Sequence, residues 1–234
     1  MVYYILSEND PKTTGLEAPY IKLYTAGTPN GFKVTILLEL LKLDYFVRPI
    51  DIRSAECKED WYLKFNPNGR IPSLTYVDTK GEVTHINESA AILLFIAEKF
   101  DKDFKYSFPY GTKEYYEMLE WIFFQMAGLG PMKGQYHFFN YFASEKDEFA
   151  IERYYKETLR LFGVLEERLE RNKTGYLVSD HLTLADIVSY PWVNGKLRMR
   201  EIDDFPRLSQ WIDTISKIPE VQIGTQIPPP PKIN

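Results

Sequence analysis

Two short segments carry residue types that could do chemistry. Arg70-Ile71-Pro72-Ser73-Leu74 puts a proline just before a strand-like run, Ser73 to Val77. Asn87-Glu88-Ser89-Ala90 opens an apolar helical run with a carboxylate and a hydroxyl. A proline at that place has no N–H to give a sheet ladder, and an X-Pro bond at such a turn is a candidate for the cis form. Cis geometry would turn the backbone groups of Ile71 outward, where they can pair with something peptide-like. The helix start at Glu88-Ser89 offers free N–H groups and positive dipole character, which suit a carboxylate. Together the segments describe a cradle for a small peptide with a free carboxyl end.

The bulk properties narrow the field. The 234 residues can bury a sizeable core, as one large domain or two small ones. The formal net charge of −5 is spread over both halves, and neither half is basic. Nucleic acid and anionic lipid are therefore poor partners. Met1 to Leu6 lacks a basic flank and does not read as a secretory leader. The longest apolar run, Ala90 to Ala97, falls far short of the roughly 18 residues that span a bilayer. Cys57 is the single cysteine, which excludes an intrachain disulfide and any CxxC redox motif. His85, His137 and His181 are scattered, so a protein-built metal site is not expected. Asn87 and Asn172 head glycosylation sequons, read as chance matches without a leader. A soluble cytoplasmic protein is the expectation.

The elements that must hold the cradle follow from periodicity. Residues 1–18 read as an irregular arm punctuated by Pro11 and Gly15. Tyr20 to Thr25 reads as a strand, Phe32 to Leu43 as a helix, Tyr45 to Asp51 as a second strand, and Ala55 to Phe65 as a weaker helix. Two strands, Ser73 to Val77 and Val83 to Ile86, then join through a turn, and a helix from Ser89 to Lys99 closes the unit. The order β-α-β-α-β-β-α gives a parallel pair followed by an antiparallel hairpin, a mixed four-stranded sheet of thioredoxin-like type. A domain over 19–100, a linker over 101–111, an all-helical domain over 112–222 and a Pro-rich tail over 223–234 are expected. The fold class is thus α/β plus all-α. Within the helical part, Gly128 to Pro131 should kink or break a helix. Thr183 to Asp186 reads as a capping box with Leu182 and Ile187 at staple positions, so Asp186 starts a helix and is not a catalytic group.

A thioredoxin-like unit followed by a helical unit, with Ile71-Pro72 and Glu88-Ser89 at these places, resembles the glutathione transferase family. The likeness covers roughly residues 20–222. Thr28-Pro29-Asn30-Gly31-Phe32-Lys33 is similar to the active-site turn of the Ure2p-like, or nu-class, subgroup, and the runs Trp121 to Gln135 and Ala150 to Tyr154 are similar to that subgroup and not to glutathione transferases at large. The resemblance implies glutathione as co-substrate, a disulfide or a small electrophile as second substrate, and a homodimer. The implied activity is disulfide reduction or conjugation. The alternative is a non-catalytic, glutathione-binding regulator of the Ure2p type.

The resemblance also implies roles. The cysteinyl unit of glutathione would pair with Ile71 ahead of Pro72, Glu88 would take the α-amino group, and Ser89 the α-carboxylate. A plain helix start is the other reading of Glu88-Ser89. A free thiol has a pKa of about 8.5 and reacts as the thiolate. Asn30, with the N–H groups of the first helix, would stabilise that thiolate, and Thr28 would assist. Asn30 is also a good N-cap type. No cysteine lies in this turn, so a mixed disulfide between enzyme and glutathione there is not expected. Arg153 either shapes the substrate pocket or sits on a solvated helix face paired with Glu152 or Glu157. Cys57 falls where relatives carry a glutathione-contacting Gln or His; it is either a weak substitute or a helix-face cysteine without a role.

Overall fold

The computed structural model describes residues 3–6, 16–194 and 199–229. The chain forms two compact units, one comprising residues up to Phe100 together with those from Pro219 on, the other Asp101–Ile218.

The first unit is built on β2 (Tyr20–Thr25), which is buried along nearly its whole length, as a central strand must be. β3 (Tyr45–Pro49) runs parallel to it and β4 (Ser73–Val77) antiparallel, with Leu23 opposite both Val47 and Leu74. β5 (Val83–Asn87) completes the expected hairpin with β4. The mixed, thioredoxin-like sheet expected from sequence is present, with one addition. Tyr3–Ile5, within the segment read as an irregular arm, forms β1 and pairs parallel with β3, so the sheet has five strands in the order β1-β3-β2-β4-β5. A strand of three residues is too short to show a period, and only its neighbour identifies it.

Helix α1 (Pro29–Leu40) begins and ends three residues earlier than its apolar spacing suggests. Thr28 caps it and Pro29 occupies the first helical position, where a missing N–H costs nothing. Val34, Leu37 and Leu38 are fully buried, and α1 packs on α3 (Ser89–Phe100) and α9 (Pro219–Gly224). That last contact corrects the expected boundary at 222. Thr35 Oγ1 donates to Gly224 O at 2.6 Å, and Ile227 is buried, so the segment read as domain end and tail belongs to the first unit. Residues from 230 on, including the rest of the Pro-rich run, lie outside the described residues.

The weak helix expected over Ala55 to Phe65 is broken at Glu59, whose backbone is extended, into a 3-10 turn (Glu56–Lys58) and a short helix α2 (Asp60–Leu63). Cys57 and Tyr62 both enter the cluster of Tyr24 and Ile50. In one unbroken helix their side chains would point about 140° apart, at 100° per residue. The break lets both face inward.

The second unit is helical, as expected: α4 (Lys113–Phe124), α5 (Gly130–Tyr141), α6 (Glu148–Asn172), α7 (Leu184–Val193) and α8 (Pro206–Ser216). At Gly128 to Pro131 the chain does not break; a π turn over Gln125–Leu129 carries α4 into α5. The stretch read as a linker is an ordered loop folded around buried Asp101. Its carboxylate accepts from Lys105 N at 2.8 Å, Tyr106 N at 2.9 Å and Ser107 Oγ at 2.7 Å. Asp186 completes the capping box with Thr183 and also accepts from Leu177 N at 2.9 Å and Trp211 Nε1 at 2.8 Å. It holds helices together. No helix among the described residues is long and apolar enough to cross a membrane.

Candidate active site

The start of α1 is set by the turn after β2. Thr28 N donates to Ala26 O at 2.7 Å, and Thr28 Oγ1 accepts from Gly31 N at 3.2 Å. The cap is therefore Thr28, and Asn30 lies inside the first turn, half-buried. Capping, the other reading of Asn30, belongs to its neighbour. Having accepted one hydrogen bond, the Thr28 hydroxyl still has its proton to donate. Gly31 is required by close approach: a Cβ there would stand 2.3 Å from Ala26 O and 2.4 Å from Thr25 Oγ1.

The Ile71–Pro72 bond is cis. Two side chains that sequence reasoning missed hold this segment from behind. Tyr62 Oη and Asn66 Nδ2 both donate to Arg70 O, at 2.8 and 2.7 Å, and both meet Ser73 Oγ, at 2.9 and 2.7 Å. Burial pushes the Tyr62 phenol up to about 12, so it remains a neutral donor at working pH. The turn and loop bonds among the described residues use neither the N–H nor the C=O of Ile71. Its side chain packs on the Tyr24, Cys57 and Tyr62 cluster.

Glu88 joins β5 to α3 with φ at 70°, a left-handed conformation that a glutamate adopts only under constraint. Its carbonyl accepts from Ile92 N at 3.0 Å, starting the helix, while its exposed carboxylate accepts from Asn68 Nδ2 at 3.3 Å. Asn87 Nδ2 donates to Phe65 O at 2.8 Å, fixing the approach. Ser89 is buried, and its Oγ accepts from Lys33 Nζ at 3.2 Å. Lys33, on α1, is another residue that sequence reasoning passed over. Burial pulls its ammonium down to about 7, and only the charge of Glu88 works the other way. The signal was a lone cation between Phe32 and Val34 in an apolar helical run.

The structure thus gathers Thr28, Asn30, Ile71, Pro72, Glu88 and Ser89 into the first unit, and the Lys33–Ser89 bond joins the starts of α1 and α3. Two further candidates differ in their surroundings. Cys57 is 8 % exposed and packed among Tyr24, Ile50 and Tyr62, the surroundings of a small apolar core residue and not of a helix face. Arg153 is exposed on α6 in the second unit. Glu152 pairs with Lys156 at 2.6 Å and Glu157 with Arg160 at 2.7 Å, while the Arg153 charge also helps to hold the Glu157 carboxyl down.

The chain is similar to known proteins along most of its length. Residues 28–99 match the glutathione S-transferase N-terminal domain, and residues 129–219 the glutathione S-transferase C-terminal domain. The disulfide-bond oxidoreductase YfcG of Escherichia coli K12 is 39% identical over 204 residues, covering 85% of this chain and 91% of its own. A glutathione transferase homolog from Lodderomyces elongisporus, crystallised with two GSH per subunit, superposes with a TM-score of 0.86 at 43% identity, over 92% of this chain and 100% of that one. The glutathione transferase URE2P6 of Phanerochaete chrysosporium, in complex with oxidized glutathione, gives 0.81 at 38% identity, over 88% and 95%. The chain belongs to the glutathione S-transferase family.

Proposed function

We propose that this chain is a glutathione-dependent enzyme of the Ure2p-like, nu-class subgroup that reduces disulfides. The observation that carries the reading is the pair of helix starts, α1 with Thr28 and Asn30 and α3 with Glu88 and Ser89, in the same unit as the cis Ile71–Pro72 turn. Glutathione would lie along Ile71, with its α-amino group on Glu88 and its α-carboxylate on Ser89. Its sulfur would meet the Asn30 amide and the first N–H groups of α1, which favour the thiolate.

In this reaction the thiolate of one glutathione attacks a sulfur of the substrate disulfide and expels the other sulfur as a thiol. The thiolate of a second glutathione attacks the mixed disulfide and releases the second thiol and oxidised glutathione. Two glutathiones are oxidised by two electrons, and one disulfide is reduced to two thiols. No protein cysteine takes part, in keeping with a turn that has none and with Cys57 packed in the core. The two GSH per subunit of the Lodderomyces homolog and the oxidized glutathione of URE2P6 favour this reading over conjugation alone.

The same reading makes the enzyme a cytoplasmic homodimer. Exposed Tyr116 and Phe123, two turns apart on α4, offer an apolar face for a second copy. The test compares a dialkyl disulfide with a chloronitroarene as second substrate on one preparation. Glutathione-dependent disulfide reduction should be the faster, and Asn30→Ala should lower kcat/KM about ten- to a hundredfold, the worth of a charge-assisted hydrogen bond. Conjugation alone would overturn the choice of reaction, and an unchanged Asn30→Ala variant would overturn the site.

A further inference from the structure

The last turn of α6, the loop after it and one face of α8 enclose a cleft of about 600 Å³, wholly within the second unit and of the usual size for a small-molecule site. Arg207, Gln210, Trp211 and Thr214 line it from α8 at the i, i+3, i+4, i+7 spacing of one helix face. Leu169 and Trp211, both buried, give it an apolar floor, and the Trp211 indole is held by its bond to Asp186 Oδ1 at 2.8 Å. The loop wall is tied in place. Asn172 Nδ2 donates to Tyr176 O and Ser179 O, each at 2.8 Å, and Thr174 Oγ1 donates to Ser179 O at 2.5 Å.

The charges around this cleft are unpaired. Three exposed pairs run along α6: Glu152 with Lys156, Glu157 with Arg160, and Glu167 with Arg171. Glu170 and Lys173 have the same i, i+3 spacing as Glu157 and Arg160, yet no ion pair joins them. Lys173 ends the helix with φ at 59°, which takes it off the helical row. Glu166, at the start of α8, uses both carboxylate oxygens on backbone, accepting from Arg207 N at 3.0 Å and Leu208 N at 2.8 Å. Two cations, the Glu170 carboxylate and the Gln210 amide therefore line the cleft with no side-chain partner among the described residues. Two cations suit a dianion, and a phosphate group carries about −1.5 to −2 charges at neutral pH. A carboxylate beside them repels a second anion and needs a neutral donor, as a hydroxyl is. A sugar supplies hydroxyls, and its C–H face suits an apolar floor. We propose that this cleft binds a sugar phosphate, free or as part of a mononucleotide: Lys173 and Arg207 take the phosphate, and Glu170 and Gln210 take the sugar hydroxyls. The cleft shares no residue with the glutathione site and does not depend on it.

The experiment is a nuclear magnetic resonance titration that follows the Gln210 side-chain amide and the Gly175 N–H, both at the cleft. The probes are ribose 5-phosphate, adenosine 5′-monophosphate and inorganic phosphate. Ribose 5-phosphate should give saturating shifts with a Kd at or below about 1 mM, and inorganic phosphate should bind more weakly. Arg207→Gln and Lys173→Gln should each weaken ribose 5-phosphate about three- to tenfold, the range for charge-assisted bonds at an exposed site. Glu170→Gln removes a charge that repels phosphate, so it should narrow the preference for ribose 5-phosphate over inorganic phosphate. All three side chains are exposed and unpaired, so these changes spare the fold. Tighter binding of the nucleotide than of ribose 5-phosphate would support the site and name a mononucleotide as its ligand; the reverse order would support it and name a free sugar phosphate. Absence of saturable shifts with both would overturn the site, as would affinities unchanged in Arg207→Gln and Lys173→Gln. Inorganic phosphate binding as tightly as ribose 5-phosphate would overturn the role given to the sugar.

Discussion

Thr28 and Asn30 are neighbours with separable tasks. Thr28 Oγ1 caps α1 through Gly31 N, and Asn30, inside the first turn, is the residue proposed to meet a ligand sulfur. Thr28→Ala should therefore cost about 1 kcal/mol of stability, read by urea unfolding. Asn30→Ala should act on turnover. Tyr62→Phe removes one of the two donors on Arg70 O and a partner of Ser73 Oγ. It should cost about 1–2 kcal/mol by the same measurement and weaken glutathione binding, because Asn66 alone then holds the carbonyl. Unchanged affinity would mean that the Arg70–Ile71 backbone needs no such support. At this scale the sequence is legible where a motif names the residue: Ile71-Pro72, Glu88-Ser89 and the Thr28 to Asn30 turn. It is not legible where the residue works from behind. Tyr62, Asn66 and Lys33 act through tertiary contacts with Arg70, Ser73 and Ser89, and no local spacing announces those partners.

Helix α1 is the element on which the site depends, and it is packed without slack at both its glycine contacts. A Cβ on Gly31 would stand 2.3 Å from Ala26 O, and one on Gly224 would stand 2.7 Å from the backbone of Ile36. Gly224→Ala should lift α9 from α1 and cost about 1–3 kcal/mol, the usual range for overpacking. Gly31→Ala should cost a similar amount and also shift the first turn, raising KM for glutathione; circular dichroism melts and steady-state kinetics separate the two effects. A Gly31→Ala variant as stable and as active as the wild type would show that the turn relaxes freely. The strands β2 and β4 and helices α3, α6 and α7 are legible from their apolar runs, and β5 from the turn that joins it to β4. The break at Glu59 is not, because it answers to two inward-facing side chains, Cys57 and Tyr62. Nor are β1 and α9, since each is too short to show a period and forms only against β3 or α1.

At the scale of the whole molecule, the buried lysines Lys33 and Lys133 contribute to the response to alkali. Lys133 in the second unit lies over the Phe162 ring at 5.2 Å and donates to Trp192 O at 2.5 Å; burial pulls it, like Lys33, down to about 7. Between about pH 7 and pH 10 the unfolded chain still binds protons that the folded chain has released, so stability rises with pH over that window. Above it, Tyr62, pushed up to about 12, acts in the opposite sense. Urea midpoints should climb from neutral pH into the mild alkaline range, and Lys133→Met should reduce the slope. Equal slopes would mean that Lys133 keeps its proton in the folded state. The division into two units is legible from composition, whereas the return of residues from Pro219 on to the first unit is not, because Thr35 and Gly224 meet only in the folded chain. The central claim is that this fold binds glutathione and activates its thiol at the start of α1. The most direct test is titration of the ultraviolet thiolate band of glutathione bound to the wild type and to Asn30→Ala. The account predicts a bound-thiol pKa well below the free value of about 8.5 in the wild type, moving back towards it in Asn30→Ala. A bound thiol that titrates like free glutathione, or identically in both proteins, would contradict it.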